Sequence, residues 1–567
     1  MIAAPSRFAP VIVWVVVALV RTVSADAAAD PWLPDSGDGT YRNPVLFADY
    51  SDPDVVRVGE DFWLVSSSFN QAPGLPILHS RDLVSWTIVN HALPALDYPD
   101  ASGRSVAEHF STPQHGAGVW APAIRFHAGR FFIFFPDPDY GIYVTTATDP
   151  REKWSAPVLV KGGRGLIDPC PLWDDDGKVY LVHGWAKSRS GKNNQLTVNE
   201  LSADATRVLD GEGTVVIDEN TAGRGFNTLE GPKLYRHAGE YWIFAPVGGV
   251  TGGTQAVYRA KNIRGPYEPR LVLAQGATPI NGPHQGAWVD TPAGENWFLH
   301  FQDRGAFGRV VHLEPMSWGA DGWPRMGTGV ATGAEKGEPV LAHEKPRASR
   351  PETVRSAAPA TTDEFDSPTL GRQWQWQANP RTDWSSLGAR RGFMRLAAVP
   401  LAAGGTLYDA PNLLLQKFTG PSFTATTVLD ATALGENSDA GLIVFGYGYA
   451  WIGVHRDVDG VRVRYACDTN HVPRPAGAIA DGAFHINVDS KARVAASKVF
   501  LRVTVAADAK CTFSFGEDGE HFTELNPGSA FQATVDRWIG AKVGLFAAAP
   551  EGKNSGSADF DWFRVTP

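Results

Sequence analysis

A hairpin unit that recurs five times constrains this chain more than any other feature. Each copy has a few apolar residues, a turn glycine and an aromatic-rich strand. The first is Val55-Val56-Arg57-Val58-Gly59 before Phe62-Trp63-Leu64-Val65, and the second is Ile124 to Gly129 before Phe131-Phe132-Ile133-Phe134. Leu172 to Gly177 precedes Val179-Tyr180-Leu181-Val182, Leu234 to Gly239 precedes Tyr241-Trp242-Ile243-Phe244, and Ala287 to Gly294 precedes Trp297-Phe298-Leu299-His300. The turn glycines Gly59, Gly129, Gly177, Gly239 and Gly294 lie 70, 48, 62 and 55 positions apart. That spacing leaves room for about four strands of five or six residues plus loops, the length of one propeller blade. A five-bladed β-propeller is expected over residues 26–340, and nothing reads as a long capped helix.

From about Leu341 to Thr362 the chain runs through Lys, Arg, Glu, Pro, Ser and Ala with few large apolar residues, which reads as a linker. Beyond it, segments such as Phe423 to Val428 and Gly441 to Phe445 alternate at period two. Such alternation suggests two sheets packed face to face, so residues 363–567 are expected to form a second all-β domain, a β-sandwich of jelly-roll type. The fold class expected for the whole chain is all-β.

Composition narrows the partners. The 51 Lys+Arg against 61 Asp+Glu leave a formal charge of −10, so counterion release at a phosphate backbone cannot drive binding and nucleic acid is excluded as a partner. The one long apolar run, Val11 to Val20, is too short for a bilayer-crossing helix, which needs about 20 residues. With Arg7 before it and Val23-Ser24-Ala25 after it, residues 1–25 read as a signal peptide. The mature chain is expected to start near Asp26, to be secreted or periplasmic, and to have no membrane span. Three cysteines are too few for a disulfide scaffold, although Cys467 and Cys511 could pair and leave Cys170 free. Oligomeric state is not legible.

In a propeller the innermost strands converge on a central channel, so residues remote in sequence meet at its mouth. Asp52-Pro53 stands before the first hairpin, Asp168-Pro169 before the third and Glu230-Gly231-Pro232 before the fourth. Buried ionised carboxylates are costly unless paired, so three of them at matching blade positions point to chemistry. Two carboxyl groups flanking an anomeric carbon can hydrolyse a glycosidic bond, and a third nearby raises the pKa of the acid by like-charge repulsion. The residue pattern by itself does not order their roles. Asp174-Asp175-Asp176-Gly177 lacks the spaced ligands and closing Glu of a calcium loop and reads as a solvated turn.

These segments resemble glycoside hydrolase family 43. The likeness runs from Asn43-Pro44-Val45 and Asp52-Pro53-Asp54 through Trp120-Ala121-Pro122, Asp168-Pro169, Glu230-Gly231-Pro232 and Gly282-Pro283-His284-Gln285-Gly286 to Trp323-Pro324. The C-terminal region, from Asp363-Glu364-Phe365 through Asn412 to Lys417, is similar to the concanavalin-type sandwich appended to β-xylosidases of that family. The resemblance implies an inverting mechanism with Asp52 as general base, Glu230 as general acid and Asp168 as the modulator that raises and orients the acid. Inversion requires base and acid about 6.5–9.5 Å apart. It further implies Phe69, Trp120, His284 and Arg309 around the sugar, with Arg304 a rival to Arg309. No cofactor is needed for the chemistry and no metal ligand is assigned; a structural calcium or other ion near His284 is left open.

The function implied is an exported glycosidase that releases terminal xylose or arabinose from plant xylan or arabinoxylan, as β-xylosidase, α-L-arabinofuranosidase or both. Two alternatives are an endo-acting arabinanase and a non-catalytic carbohydrate-binding protein, the second disfavoured by the intact carboxylate trio.

Overall fold

The computed structural model describes residues 32–329, 336–348, 354–402, 405–469, 486–495, 497–526, 530–552 and 556–567, with a few isolated positions besides. Apart from Met1, the expected signal peptide lies outside the described residues.

Five four-stranded antiparallel sheets follow one another along the chain, each with its strands in sequence order. The first strands of the blades are Asp54–Val58, Ala123–His127, Leu166–Trp173, Lys233–His237 and His284–Asp290. Hairpin turns close them as the spacing predicts. In Ala128-Gly129 and Ala238-Gly239 both turn residues have positive φ, 48° and 80° in one and 49° and 82° in the other. This is the twist-matched geometry of a two-residue hairpin.

Each pair of adjacent blades shares its own core, so the aromatic richness of the repeats is spent between blades. Trp63 and Val65 of the first blade pack with Phe131 and Phe135 of the second. Phe134 and Val144 meet Leu166 and Leu181, and Val182 and Val198 meet Ile243 and Tyr258. Trp242 and Phe244 meet Phe298 and Trp323, and the ring closes where Leu299 and Val311 pack with Val55 and Leu64. Closure is reinforced by the amino-terminal segment. Thr40–Arg42 pairs with Ala342–Glu344, and the Asn43 amide donates to Leu313 O at 2.8 Å and Val340 O at 2.9 Å while accepting from Leu313 N–H at 2.9 Å. The stretch expected to open the linker therefore begins as a strand of the propeller's clasp.

Among the described residues the C-terminal region is a sandwich of two eight-stranded sheets. Phe423–Asp430 and Asp439–Phe445, the segments whose alternation was read from sequence, lie in opposite sheets and bury Leu429, Leu442 and Val444 in one shared core. Cys467 and Cys511 sit in that core on strands of opposite sheets without a disulfide between them. Cys170 is buried in the propeller, where its sulfur accepts from Arg125 Nη2 at 2.8 Å and Leu234 N–H at 3.2 Å.

The two domains meet along a continuous hydrogen-bonded seam. Ala72 and Trp376 exchange backbone bonds, the Asn70 amide reaches Gln377 O at 2.7 Å, and the Asn379 side chain bonds Leu96 and Ala107. His115 of the propeller stacks on Tyr408 of the sandwich with centroids 3.9 Å apart, and its Nδ1 lies 2.7 Å from Asp536 Oδ2.

Candidate active site

Four of the five first strands carry a residue-proline step in a left-handed turn, three of them just ahead of the strand and the third blade's inside it, at the register shift between Ile167 and Cys170. Asp52, Asp168, Gly231 and Gly282 each precede a proline and have φ of 55°, 55°, 59° and 50°. Such a turn costs glycine nothing and is tolerated by aspartate. In the fourth blade Gly231 takes the turn, and the carboxylate stands one residue earlier at Glu230. The three acids thus converge from unequal blade positions, which corrects the expectation of equivalence.

Asp52, Asp168 and Glu230 share a cavity of about 330 Å3 whose other walls include Phe69, Trp120, Gln285, Arg309 and Trp538. Asp52 accepts from Arg309 Nη1 at 3.0 Å on one oxygen and from the Ser67 hydroxyl at 2.5 Å on the other. The Arg309 guanidinium also lies over the Phe301 ring, 4.9 Å from its centroid. Arg304, by contrast, is turned toward Phe47. Asp168 accepts from the Gly231 N–H at 2.7 Å, and Glu230 Oε1 lies 2.9 Å from His284 Nε2.

Electrostatics distinguishes the three. Burial, then the charge of Glu230 and that of Asp52, push the Asp168 carboxyl up to about 8, against the opposing Gly231 N–H. The Asp168 carboxyl is thus biased toward its protonated form. Glu230 keeps 27% of its side chain exposed, against 6% for Asp52, so it is the acid most open to an incoming ligand.

Aromatic rings form one corner of the cavity. Phe69 and Trp120 have centroids 6.3 Å apart, and Trp538, carried by the sandwich, meets Trp120 edge-on at 5.9 Å. Trp120 is held by its indole N–H on Gly116 O at 2.9 Å and flanked by the Arg189 guanidinium. Flat aromatic faces suit the C–H face of a sugar, and guanidinium and amide donors suit its hydroxyls. All seven residues expected at the site lie in or directly against this cavity, His284 as the buried partner of Glu230.

Several wall residues escaped the sequence reading. Gln285 has φ of 41° and a buried, unpartnered Nε2, a donor with no protein acceptor. Its neighbours in the segment Gly282 to Gly286 were the only signal that could have found it. Thr228 and Thr251 also line the cavity, and Trp538 comes from the other domain.

His284 has one remaining ring nitrogen, Nδ1, which is buried and without a protein partner among the described residues. Among the described residues no group of three or more His, Cys, Asp or Glu side chains could hold a metal ion.

A five-bladed propeller that gathers three carboxyl groups beneath an aromatic corner, with a sandwich closing one side, defines a glycosidase of two-domain type. Comparison with known proteins supports this class. Residues 41–324 match glycosyl hydrolases family 43, and residues 362–566 match the beta xylosidase C-terminal concanavalin A-like domain. A Xylanibacter ruminicola protein named as a candidate beta-xylosidase is 36% identical over 92% of this chain and 88% of its own length. A beta-xylosidase of Formosa agariphila is 30% identical over 95% and 92% of the two chains. A non-reducing end alpha-L-arabinofuranosidase of Bacteroides ovatus is 28% identical over 92% and 94%. Among solved structures, the GH43 BlXynB protein from Bacillus licheniformis superposes with a TM-score of 0.76 at 26% identity, covering 93% of this chain and 99% of that one. The chain belongs to glycosyl hydrolase family 43.

Proposed function

We propose that this enzyme is an exported, inverting exo-glycosidase that releases terminal xylose or arabinose from xylan or arabinoxylan. The carrying observation is that the three carboxyl groups lie in one small cavity, with Trp538 of the sandwich as part of its wall. At about 330 Å3 it is at the low end of the roughly 300–1,000 Å3 usual for ligand pockets, which favours a chain end over an open stretch of polymer. The same wall disfavours internal cleavage of arabinan.

In this reading Asp52, oriented by Arg309 and Ser67, takes a proton from a water whose oxygen attacks the anomeric carbon. The glycosidic C–O bond breaks as the leaving oxygen takes a proton from Glu230, and the sugar departs with inverted configuration. His284 holds Glu230, and Asp168 shares with it the proton demand of the site. The named relatives include both a beta-xylosidase and an alpha-L-arabinofuranosidase, which supports a terminal pentose as the released sugar. Export rests on the signal-like residues 1–25, with a mature form beginning near Asp26 in the secreted or periplasmic fraction. The chemistry uses no cofactor.

The test is hydrolysis of aryl β-xylopyranoside and α-arabinofuranoside, with and without a chelator, followed by NMR of the first-formed anomer. Expected are release of a pentose, inversion, indifference to chelation, and a loss of about 100-fold or more in Asp52→Asn and Glu230→Gln. Hydrolysis that persists in both variants would overturn the catalytic assignment.

A further inference from the structure

We propose that Asp49 is a positioning residue that couples the sandwich-borne wall of the cavity to its water-activating end, an inference that rests on the glycosidase reading above. Asp49 is 2% exposed and stands three residues before Asp52. Its Oδ1 accepts the Ser51 hydroxyl and the Arg309 N–H, each at 2.9 Å. Its Oδ2 accepts the Gly540 N–H at 3.0 Å, and Gly540 is two residues past Trp538. One carboxylate thus binds the residue next to the base, the arginine that pairs with the base, and the loop that carries the tryptophan wall.

The three pieces meet with no slack. A Cβ at Gly308 would lie 2.5 Å from Asp49 Cβ and displace Asp49 within the propeller, and one at Gly540 would lie 2.6 Å from Gly308 N and force the domains apart. At its other end the tryptophan loop is pinned by Asp536, which pairs with His115 at 2.7 Å and accepts from the Tyr408 hydroxyl at 3.0 Å. Trp538 itself has φ of 70°, a left-handed conformation that a bulky residue keeps only when its surroundings impose it. Burial opposes a charge on Asp49, yet Lys417, Lys542 and the Arg309 and Gly540 amides outweigh burial and hold its carboxyl below the usual range.

A plain interface contact would affect stability alone. A coupling residue would separate two kinetic effects. In Asp49→Asn the amide oxygen can keep the Ser51 and Arg309 donors, while the amide nitrogen faces the Gly540 N–H and the tie to the tryptophan loop is lost. In Asp49→Ala both ties are lost. Because removing an acid beside buried lysines can unfold a protein, each variant is also made with Lys542→Met, which removes one cation along with the anion.

The experiment measures kcat and KM on the better of the two aryl pentosides, together with the 19F NMR resonance of 5-fluorotryptophan at position 538, assigned by its loss in Trp538→Phe. Asp49→Asn/Lys542→Met is expected to raise KM about five- to tenfold with kcat within about twofold, and to shift the fluorine resonance. Asp49→Ala/Lys542→Met is expected to lower kcat about tenfold or more in addition, as Arg309 and Asp52 lose their register. An unmoved resonance would overturn the proposal, as would wild-type kinetics in both variants or a kcat loss in the Asn variant with KM unchanged. An inactive wild type would defeat the glycosidase reading instead, and the fluorine shift would still decide the positioning role.

Discussion

Asp168 shows how a single residue can serve a site at the expense of the fold. Burial, with the charges of Glu230 and Asp52, pushes its carboxyl up to about 8 from the ordinary 3.8. Since it interacts strongly with Glu230, the last proton belongs to the pair. We expect the alkaline limb of kcat/KM to have an apparent pKa near 8, and Asp168→Asn to move that limb to lower pH, as a pH-rate profile will show. Stability should respond in the opposite sense. Between about 3.8 and 8 the folded chain binds a proton that the unfolded chain has released, so stability falls as pH rises across that window. Asp168→Asn should therefore raise Tm more at pH 8 than at pH 5, while activity drops. Backbone conformation adds to the same burden. Asp52, Phe69, Asp168, Thr228 and Gln285 all line the cavity with positive φ, a conformation that costs roughly 1–3 kcal/mol where the side chain is bulky.

At the scale of single strands, His284–Asp290 is tightly built. Its pairing with Asn296–Asp303 shifts register between His284 and Gly286, which presents Gln285 to the cavity while His284 reaches back to Glu230. A Cβ at Gly286 would stand 1.7 Å from Leu299 O, so Gly286→Ala must part the two strands. Denaturant unfolding should show a loss of about 3 kcal/mol or more, the upper range for overpacking, and Gln285 and His284 should lose their positions with it. The hairpins were legible in sequence because their signals are local: a turn glycine, then alternating aromatics. The Asp52 and Asp168 turns were legible for the same reason, as residue-proline steps beside apolar residues. Glu230 was found by the same sign although it stands one place off. Trp538 was invisible because nothing near Arg537 and Ile539 marks it; only the docking of a second domain brings it to Trp120. Asp49 was invisible too, since its three partners are at Ser51, Arg309 and Gly540.

Taken as a whole, the molecule is a ring closed by its amino-terminal segment and a sandwich locked against it. The Asn43 side chain makes three hydrogen bonds across the seam of the ring, to Leu313 and Val340. At about 0.5–1.5 kcal/mol for each, Asn43→Ala should cost roughly 2–4 kcal/mol, and urea unfolding of the whole chain is the measurement that checks it. Loss of the clasp should leave the separate blade-to-blade cores intact, so the transition should broaden as well as move. The position of that clasp also orders events in time. Residues 40–42 leave the ribosome about 300 residues before their partner strand at residues 342–344. Until the fifth blade and that strand have been made, the propeller can exist only as an open arc with one blade face unmatched at each end. A chain that waits so long to close keeps its two outer blade faces bare until synthesis has passed residue 344.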